Sequence, residues 1–140
     1  MPFLEVIEIW SREPGPYLFR EREVEFKVGL ILELRGDEVR VGRWVTNDLV
    51  LGRCEVSGFH LRLYRENDRY VYSDVASLQV PIYNGETIRH RTRIIMEDND
   101  TFNVGGVMLR YRETLSCCAT SGESCSRGTQ QVERRAATGE

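Results

Sequence analysis

Short runs in which large apolar residues alternate with charged or polar ones recur through the first 113 positions. Glycine, proline, asparagine or aspartate separates most of them. A period of two puts successive side chains on opposite faces of an extended strand, so each run has one face to bury and one to leave in water. Residues 3–10 (FLEVIEIW) form the first such run, and Pro14-Gly15-Pro16 ends it. Residues 17–26 alternate again as a strand or hairpin arm, although 20–25 also reads as one helical turn. Residues 30–34 are a strand, 35–38 a tight turn, and 39–41 the antiparallel return. Strands at 49–51, 61–64 and 70–72 follow, the last two joined by Glu66-Asn67-Asp68. Residues 92–96 and 107–111 are strands around a turn at 97–100. No stretch carries a helical period. Strands this short, at roughly 8–12-residue intervals, predict an all-β sandwich or barrel.

The 140 residues allow one domain with one core. A net charge of −3 gives no support to nucleic acid or a membrane surface as a partner of the chain as a whole. No apolar run approaches the ~20 residues needed to cross a bilayer. Glu5 and Glu8 interrupt an N-terminus that has no basic start, so no signal peptide is read there, and an intracellular protein is expected. The four cysteines, Cys54, Cys117, Cys118 and Cys125, include no CxxC pair. Neither a disulfide framework nor a metal site is expected from that spacing, and no cofactor is implied. Residues 116–140 are rich in Ser, Thr, Gly, Gln and Arg and carry almost no large apolar side chain, which predicts a disordered tail. Thr120 and Ser121 in that tail are open to modification, as tail hydroxyls generally are.

The chemistry concentrates in residues 42–85. Gly42-Arg43, Asn47-Asp48, Ser57-Gly58-Phe59-His60 and Asn84-Gly85 stand there among the alternating apolar residues. A phosphate dianion calls for a permanent cation and short hydroxyl or N–H donors converging from loops, and Arg43 and Ser57 are of those types. Arg43 alone reads as a surface arginine, and Asn84-Gly85 alone as a turn. Ser57 and His60 invite a nucleophilic reading. Three residues apart on a loop, with no acid placed to orient the histidine, they do not make a catalytic pattern, and no enzyme is expected.

Taken together, VGRWVTNDLVL (41–51), EVSGFHLRLY (55–64) and YVYSDVASLQVPIYNG (70–85) resemble the forkhead-associated (FHA) domain, with the resemblance spanning residues 30–111. It implies a β-sandwich of two antiparallel sheets over residues 1–113, followed by the disordered tail at 114–140. The implied function is a phosphothreonine-dependent protein–protein interaction module in signalling or DNA-damage-checkpoint-type regulation, with a phosphothreonine protein or peptide as partner. SGFHLRLY and its spacing to YNG look most like the FHA domains heading checkpoint-type kinases of filamentous fungi, which implies the nucleus rather than the cytoplasm. The chain has no kinase glycine-rich loop, catalytic-aspartate loop or DFG.

By the same resemblance Arg43 holds the phosphate and Ser57 donates its hydroxyl to it. Gly58, where the family usually has Arg or Asn, offers only its backbone N–H. His60 bonds loop backbone and fixes Ser57, while Gly42, Asn84 and Gly85 support the site. Glu55 stands where the family reads the peptide C-terminal to the phosphothreonine, and an acid there disfavours acidic peptide residues. The second loop departs from the family's S-x-N-G-T. Gln79 replaces the asparagine that bonds the peptide main chain, Val80 the glycine and Pro81 the threonine, while Leu78 stands where some members use a hydroxyl. Valine forces another loop path and proline removes a donor. One or two weakened hydrogen bonds correspond to roughly ten- to a hundredfold in affinity. Two alternatives stay open: a degenerate FHA scaffold that binds proteins without phosphate, and the regulatory fragment of a Ser/Thr protein kinase without its catalytic domain. The oligomeric state is not encoded legibly.

Overall fold

A computed structural model describes residues 2–10 and 13–113. The expected tail, with Thr120, Ser121, Cys117, Cys118 and Cys125, lies outside the described residues. Among the described residues there is no helix. The strands in chain order are β1 (Phe3–Ile9), β2 (Tyr17–Phe19), β3 (Arg22–Glu23), β4 (Ile31–Glu33), β5 (Glu38–Gly42), β6 (Leu49–Leu51) and β7 (Leu61–Glu66). They continue with β8 (Arg69–Asp74), β9 (Ile82–Tyr83), β10 (Glu86–Thr87), β11 (Arg93–Ile95), β12 (Thr101–Val104) and β13 (Val107–Arg112). One sheet has the order β10-β9-β12-β13-β1-β4 and the other β11-β8-β7-β5-β6-β2-β3.

The sheets face each other as a sandwich. Leu4, Val6, Phe102, Val104, Val107 and Leu109 of one sheet and Val39, Val41, Leu61, Leu63 and Tyr72 of the other share one core. Alternation does the sorting: along β5, Val39 and Val41 are buried while Arg40 between them is exposed. The 66–69 hairpin forms where it was read. Asn67 and Asp68 both take positive φ, at 54° and 66°, the requirement of a type I′ turn. Residues 17–26 hold the small β2–β3 hairpin, not a helical turn.

Three sequence expectations are corrected. The second sheet is mixed, not antiparallel throughout, because β5 and β6 run parallel with Val41 opposite Leu49 and Gly42 opposite Val50. β6 is buried at all three residues, as a strand enclosed on both faces must be. The strand at 30–34 does not pair with 39–41: β4 pairs with β1, Leu32 opposite Leu4, while β5 pairs with β7 in the other sheet. Gly36 turns the chain as expected, with φ +80°, but the turn crosses between sheets instead of closing a hairpin. The turn at 97–100 likewise leads from β11 in one sheet to β12 in the other, and β12 lies between β9 and β13.

Candidate functional site

Arg43 follows directly on β5, and its backbone is already committed. Its N–H donates to the Ser57 carbonyl at 2.9 Å, and the next N–H, of Trp44, donates to the Gly58 carbonyl at 3.2 Å. The 43–48 and 52–60 loops are therefore stitched together beyond the end of the sheet, with Arg43 and Ser57 side by side. Gly42 makes this possible, since a Cβ there would collide with the Gly58 carbonyl and sit 2.7 Å from the Asn47 amide nitrogen. Asn47 completes the clamp. Only 6% exposed, it donates through Nδ2 to the carbonyls of Gly58 at 2.6 Å and Trp44 at 2.9 Å.

The Arg43 side chain is exposed, and its Nε donates to the Val56 carbonyl at 3.1 Å. Among the described residues it has no carboxylate partner, so its two terminal nitrogens keep their donors for a ligand. Ser57 is buried, at 9% exposure, and among the described residues its hydroxyl makes no hydrogen bond.

His60 ties three loops together. Its N–H donates to the Val41 carbonyl at 2.8 Å, and its own carbonyl accepts from Val75 at 3.0 Å and Ala76 at 3.1 Å. Nδ1 accepts the Ser57 N–H at 3.1 Å, which requires an unprotonated Nδ1 and places the ring proton on Nε2. Burial pushes the pKa of His60 below its ordinary value, and the nearby Asp74 carboxylate opposes that more weakly. Asp74 is thus an acid near His60 that the spacing did not reveal. The serine group on the imidazole is the backbone N–H and not the hydroxyl, so the pair lacks the contact of a nucleophile with its base.

Gln79, Val80 and Leu78 are exposed, whereas Pro81 is buried. Gln79 lines a cleft of about 230 Å³ with Glu55, His60, Trp10, Val80 and the Gly105-Gly106 turn. The structure therefore brings Gln79, Glu55 and His60 to one cleft, which Arg43 and Ser57 do not line. Ser77 is held by a 3.0 Å hydrogen bond between its hydroxyl and Nδ1 of His90.

Asn84 and Gly85, expected to support the site, lie beside Thr101 and Asp100 at the far end of β12 from Gly105. Their positive φ values, 52° and 81°, form a type I′ turn between β9 and β10. Asn84 accepts the Thr101 N–H at 2.8 Å and donates to Asp100 at 3.2 Å. β12 runs from Thr101, beside Asn84, to Val104, next to the Gly105-Gly106 turn of the cleft. A full strand thus separates the turn from the Arg43 end.

Arg53 is a supporting residue that the sequence hid. It is 1% exposed, and its Nε donates to the Gly105 carbonyl at 2.7 Å while Nη1 donates to the Tyr17 hydroxyl at 3.2 Å. Those partners lie 52 and 36 positions away, so no local pattern announces them. Their effect is to fix the loop carrying Glu55 and Ser57 against the Gly105 turn.

Comparison with known proteins agrees with this architecture. The structure is similar to the FHA domain of the CT664 protein from Chlamydia trachomatis, at 19% identity and TM-score 0.60, covering 81% of this chain and 97% of that one. It is similar to Mycobacterium tuberculosis EmbR, solved in complex with a low-affinity phosphopeptide, at 21% identity and TM-score 0.58 over 79% of this chain and 24% of that one. It is also similar to the FHA domain of an Arabidopsis thaliana hypothetical protein, at 21% identity and TM-score 0.55 over 80% and 86% of the two chains. At such identities the likeness establishes the FHA fold. No curated protein sequence matches. Among the described residues no helix is long and apolar enough to cross a membrane. The family profile described as "Inner membrane component of T3SS, cytoplasmic domain" matches residues 27–114, which takes in Arg43, Ser57, His60 and Gln79, and the chain belongs to that family.

Proposed function

We propose that this domain is a phosphothreonine-dependent protein-interaction module whose phosphate contact is Arg43, with Ser57 as the adjoining hydroxyl donor. One observation carries the reading: a guanidinium without a carboxylate partner among the described residues stands beside an unengaged serine hydroxyl, on two loops whose backbones are hydrogen-bonded to each other. A charge-assisted contact to phosphate is worth about 1.5–3 kcal/mol, so losing Arg43 weakens binding roughly ten- to a hundredfold. Isothermal titration of a phosphothreonine peptide library against wild type and Arg43→Ala tests this. Equal binding by both proteins, or equal binding of unphosphorylated peptides, defeats it.

The family is described as the cytoplasmic domain of an inner-membrane secretion component, which supports a cytoplasmic protein as the partner on this reading. The finer resemblance to checkpoint-type kinases, with nuclear signalling, rests on SGFHLRLY and its spacing to YNG. A kinase reading frame downstream in the genomic sequence would support it, and the lack of one removes it.

A second reading has an observation of its own. Gln79, the residue in register with the family's peptide-gripping asparagine, lines a cleft that excludes Arg43 and Ser57. A scaffold that binds protein without phosphate uses that cleft and leaves Arg43 idle. Backbone NMR shifts on adding phosphothreonine peptide separate the two readings, since only the first moves Arg43 and Ser57.

A further inference from the structure

The residue after the candidate phosphate ligand is a tryptophan, and it stands out on the surface. Trp44 is 61% exposed and Val45 beside it 67%, so the tip of the 43–48 loop is apolar although it adjoins a cation. An exposed indole on a loop would ordinarily sample many rotamers. Here its backbone is fixed on both sides: the Trp44 N–H donates to the Gly58 carbonyl, and its carbonyl accepts the Asn47 N–H at 3.1 Å and the Asn47 side chain at 2.9 Å. The ring lies over Gly58, where a Cβ would overlap Cε2, Cδ2 and Nε1 of the indole. Gly58 thus does more than remove a side chain from the loop, because its bare backbone is the seat on which the indole rests. An aromatic ring held in one place presents a large apolar face at small entropic cost, which is what a recognition surface uses.

We propose that Trp44 is a specificity-determining residue that contacts a large apolar side chain next to the phosphothreonine in the bound peptide. This rests on the phosphothreonine reading of Arg43. The geometry ties the two, because Arg43 and Trp44 are consecutive and bond through consecutive N–H groups to Ser57 and Gly58. A ligand phosphate on Arg43 and Ser57 therefore brings its neighbouring residue onto the indole. The chemistry selected is apolar, leucine or phenylalanine, since contact with the open indole face removes apolar surface of both partners from water.

The experiment uses the full chain and two phosphothreonine peptide series, one with leucine or phenylalanine placed in turn at the positions flanking the phosphothreonine, the other with alanine there. Wild type is expected to favour one apolar-flanked peptide by roughly five- to tenfold, the scale of a partly buried aromatic contact. Trp44→Ala removes that preference and leaves the alanine-flanked peptides bound as before. Gly58→Ala removes it too, because the new methyl displaces the exposed ring. Tryptophan fluorescence in a Trp10→Phe background reports the displacement, and urea unfolding followed by far-UV circular dichroism shows that the protein remains folded. If wild type does not discriminate between the series while binding stays phosphate-dependent, the Trp44 assignment is overturned and Arg43 keeps its role. A uniform loss with both series in Trp44→Ala overturns it as well, since the residue then acts only on loop structure. Loss of all dependence on phosphate and on Arg43 ends the underlying reading and this assignment with it.

Discussion

Replacing Asn47 tests whether the Arg43 loop is held in place before any ligand arrives. Its Nδ2 is a buried donor shared by two carbonyls, of Gly58 at 2.6 Å and Trp44 at 2.9 Å. Both carbonyls keep one backbone partner, from the N–H groups of Trp44 and Asn47, so alanine at 47 removes two bonds without orphaning either acceptor. At about 0.5–1.5 kcal/mol for each neutral bond, Asn47→Ala is expected to destabilise the domain by about 2 kcal/mol. With a urea m-value of about 1–3 kcal/mol/M, the unfolding midpoint falls by roughly 1 M. Asn47→Asp is the sharper variant. A carboxylate nearly isosteric with the amide turns an acceptor toward both carbonyls and sits at 6% exposure, so at pH 7 it is expected to cost more than alanine. Urea denaturation followed by tryptophan fluorescence ranks the three proteins, and peptide titration of the survivors reads the loop. The order wild type, Ala, Asp in falling stability is expected, with Arg43-dependent affinity falling in the same order. If Asp matches wild type, donation from Nδ2 does not clamp the loops. If both variants lose stability but bind phosphopeptide unchanged, the clamp is real but does not organise the site.

Other outcomes follow from the same geometry. His60 has a lowered folded pKa, so the unfolded chain binds the extra proton first. Stability is full above the ordinary histidine value of about 6.5 and is lost as pH falls through the folded value; His60→Gln flattens that slope in urea titrations from pH 8 to 5. Gly42→Ala forces a methyl against the Gly58 carbonyl, a backbone atom that cannot swing aside. It is expected to cost about 1–3 kcal/mol in denaturation and to abolish measurable Arg43-dependent binding. Tyr83→Phe breaks the buried 2.6 Å hydrogen bond to Asp100, costing about 1.5–3 kcal/mol in thermal or urea unfolding. It leaves peptide affinity alone, because Asp100 lies at the Asn84 end.

What the sequence disclosed was the local part of the fold. β1 and the β7–β8 hairpin were readable because the period of two and the Asn67-Asp68 turn lie within the segments themselves. The partner of β4 was not, since its alternation fits a seat beside β5 or β1 equally well and the choice is made by packing across the sandwich. β12 escaped because Thr101–Val104 holds only two apolar residues, Phe102 and Val104, and both are fully buried. At the site, Arg43, Ser57 and His60 were visible as residue types at a spacing. Arg53 was not, because a fully buried arginine reads as surface until Gly105 and Tyr17 fold against it. Trp44 and Asn47 stood inside the quoted motif, yet their contact with Gly58 exists only once the two loops are stitched together. Asn84-Gly85 was legible as a turn, but its place beside Thr101 emerges only once β9 pairs with β12.

The two halves of the loop end differ in how much order they possess before binding. On the Arg43 side, two backbone hydrogen bonds, the Asn47 clamp and the His60 ring hold position without a ligand. On the other side the backbone is held at Val75 and Ala76, and Ser77 by His90, after which Leu78, Gln79 and Val80 are exposed until buried Pro81. Ordering each such side chain on binding costs about 0.5–1.5 kcal/mol, so contacts made there return less net affinity than equal contacts made by the fixed half. On the phosphothreonine reading, the altered Gln79-Val80-Pro81 segment is expected to weaken the grip on the peptide main chain and to leave the Arg43 contact in place. Recognition on this account shifts toward what the rigid half presents, a guanidinium and the indole seated next to it. Arg43→Lys separates charge from geometry there: an ammonium keeps the attraction but lacks the guanidinium fork, so a loss close to that of Arg43→Ala means that the fixed orientation of the fork, and not charge alone, selects the ligand.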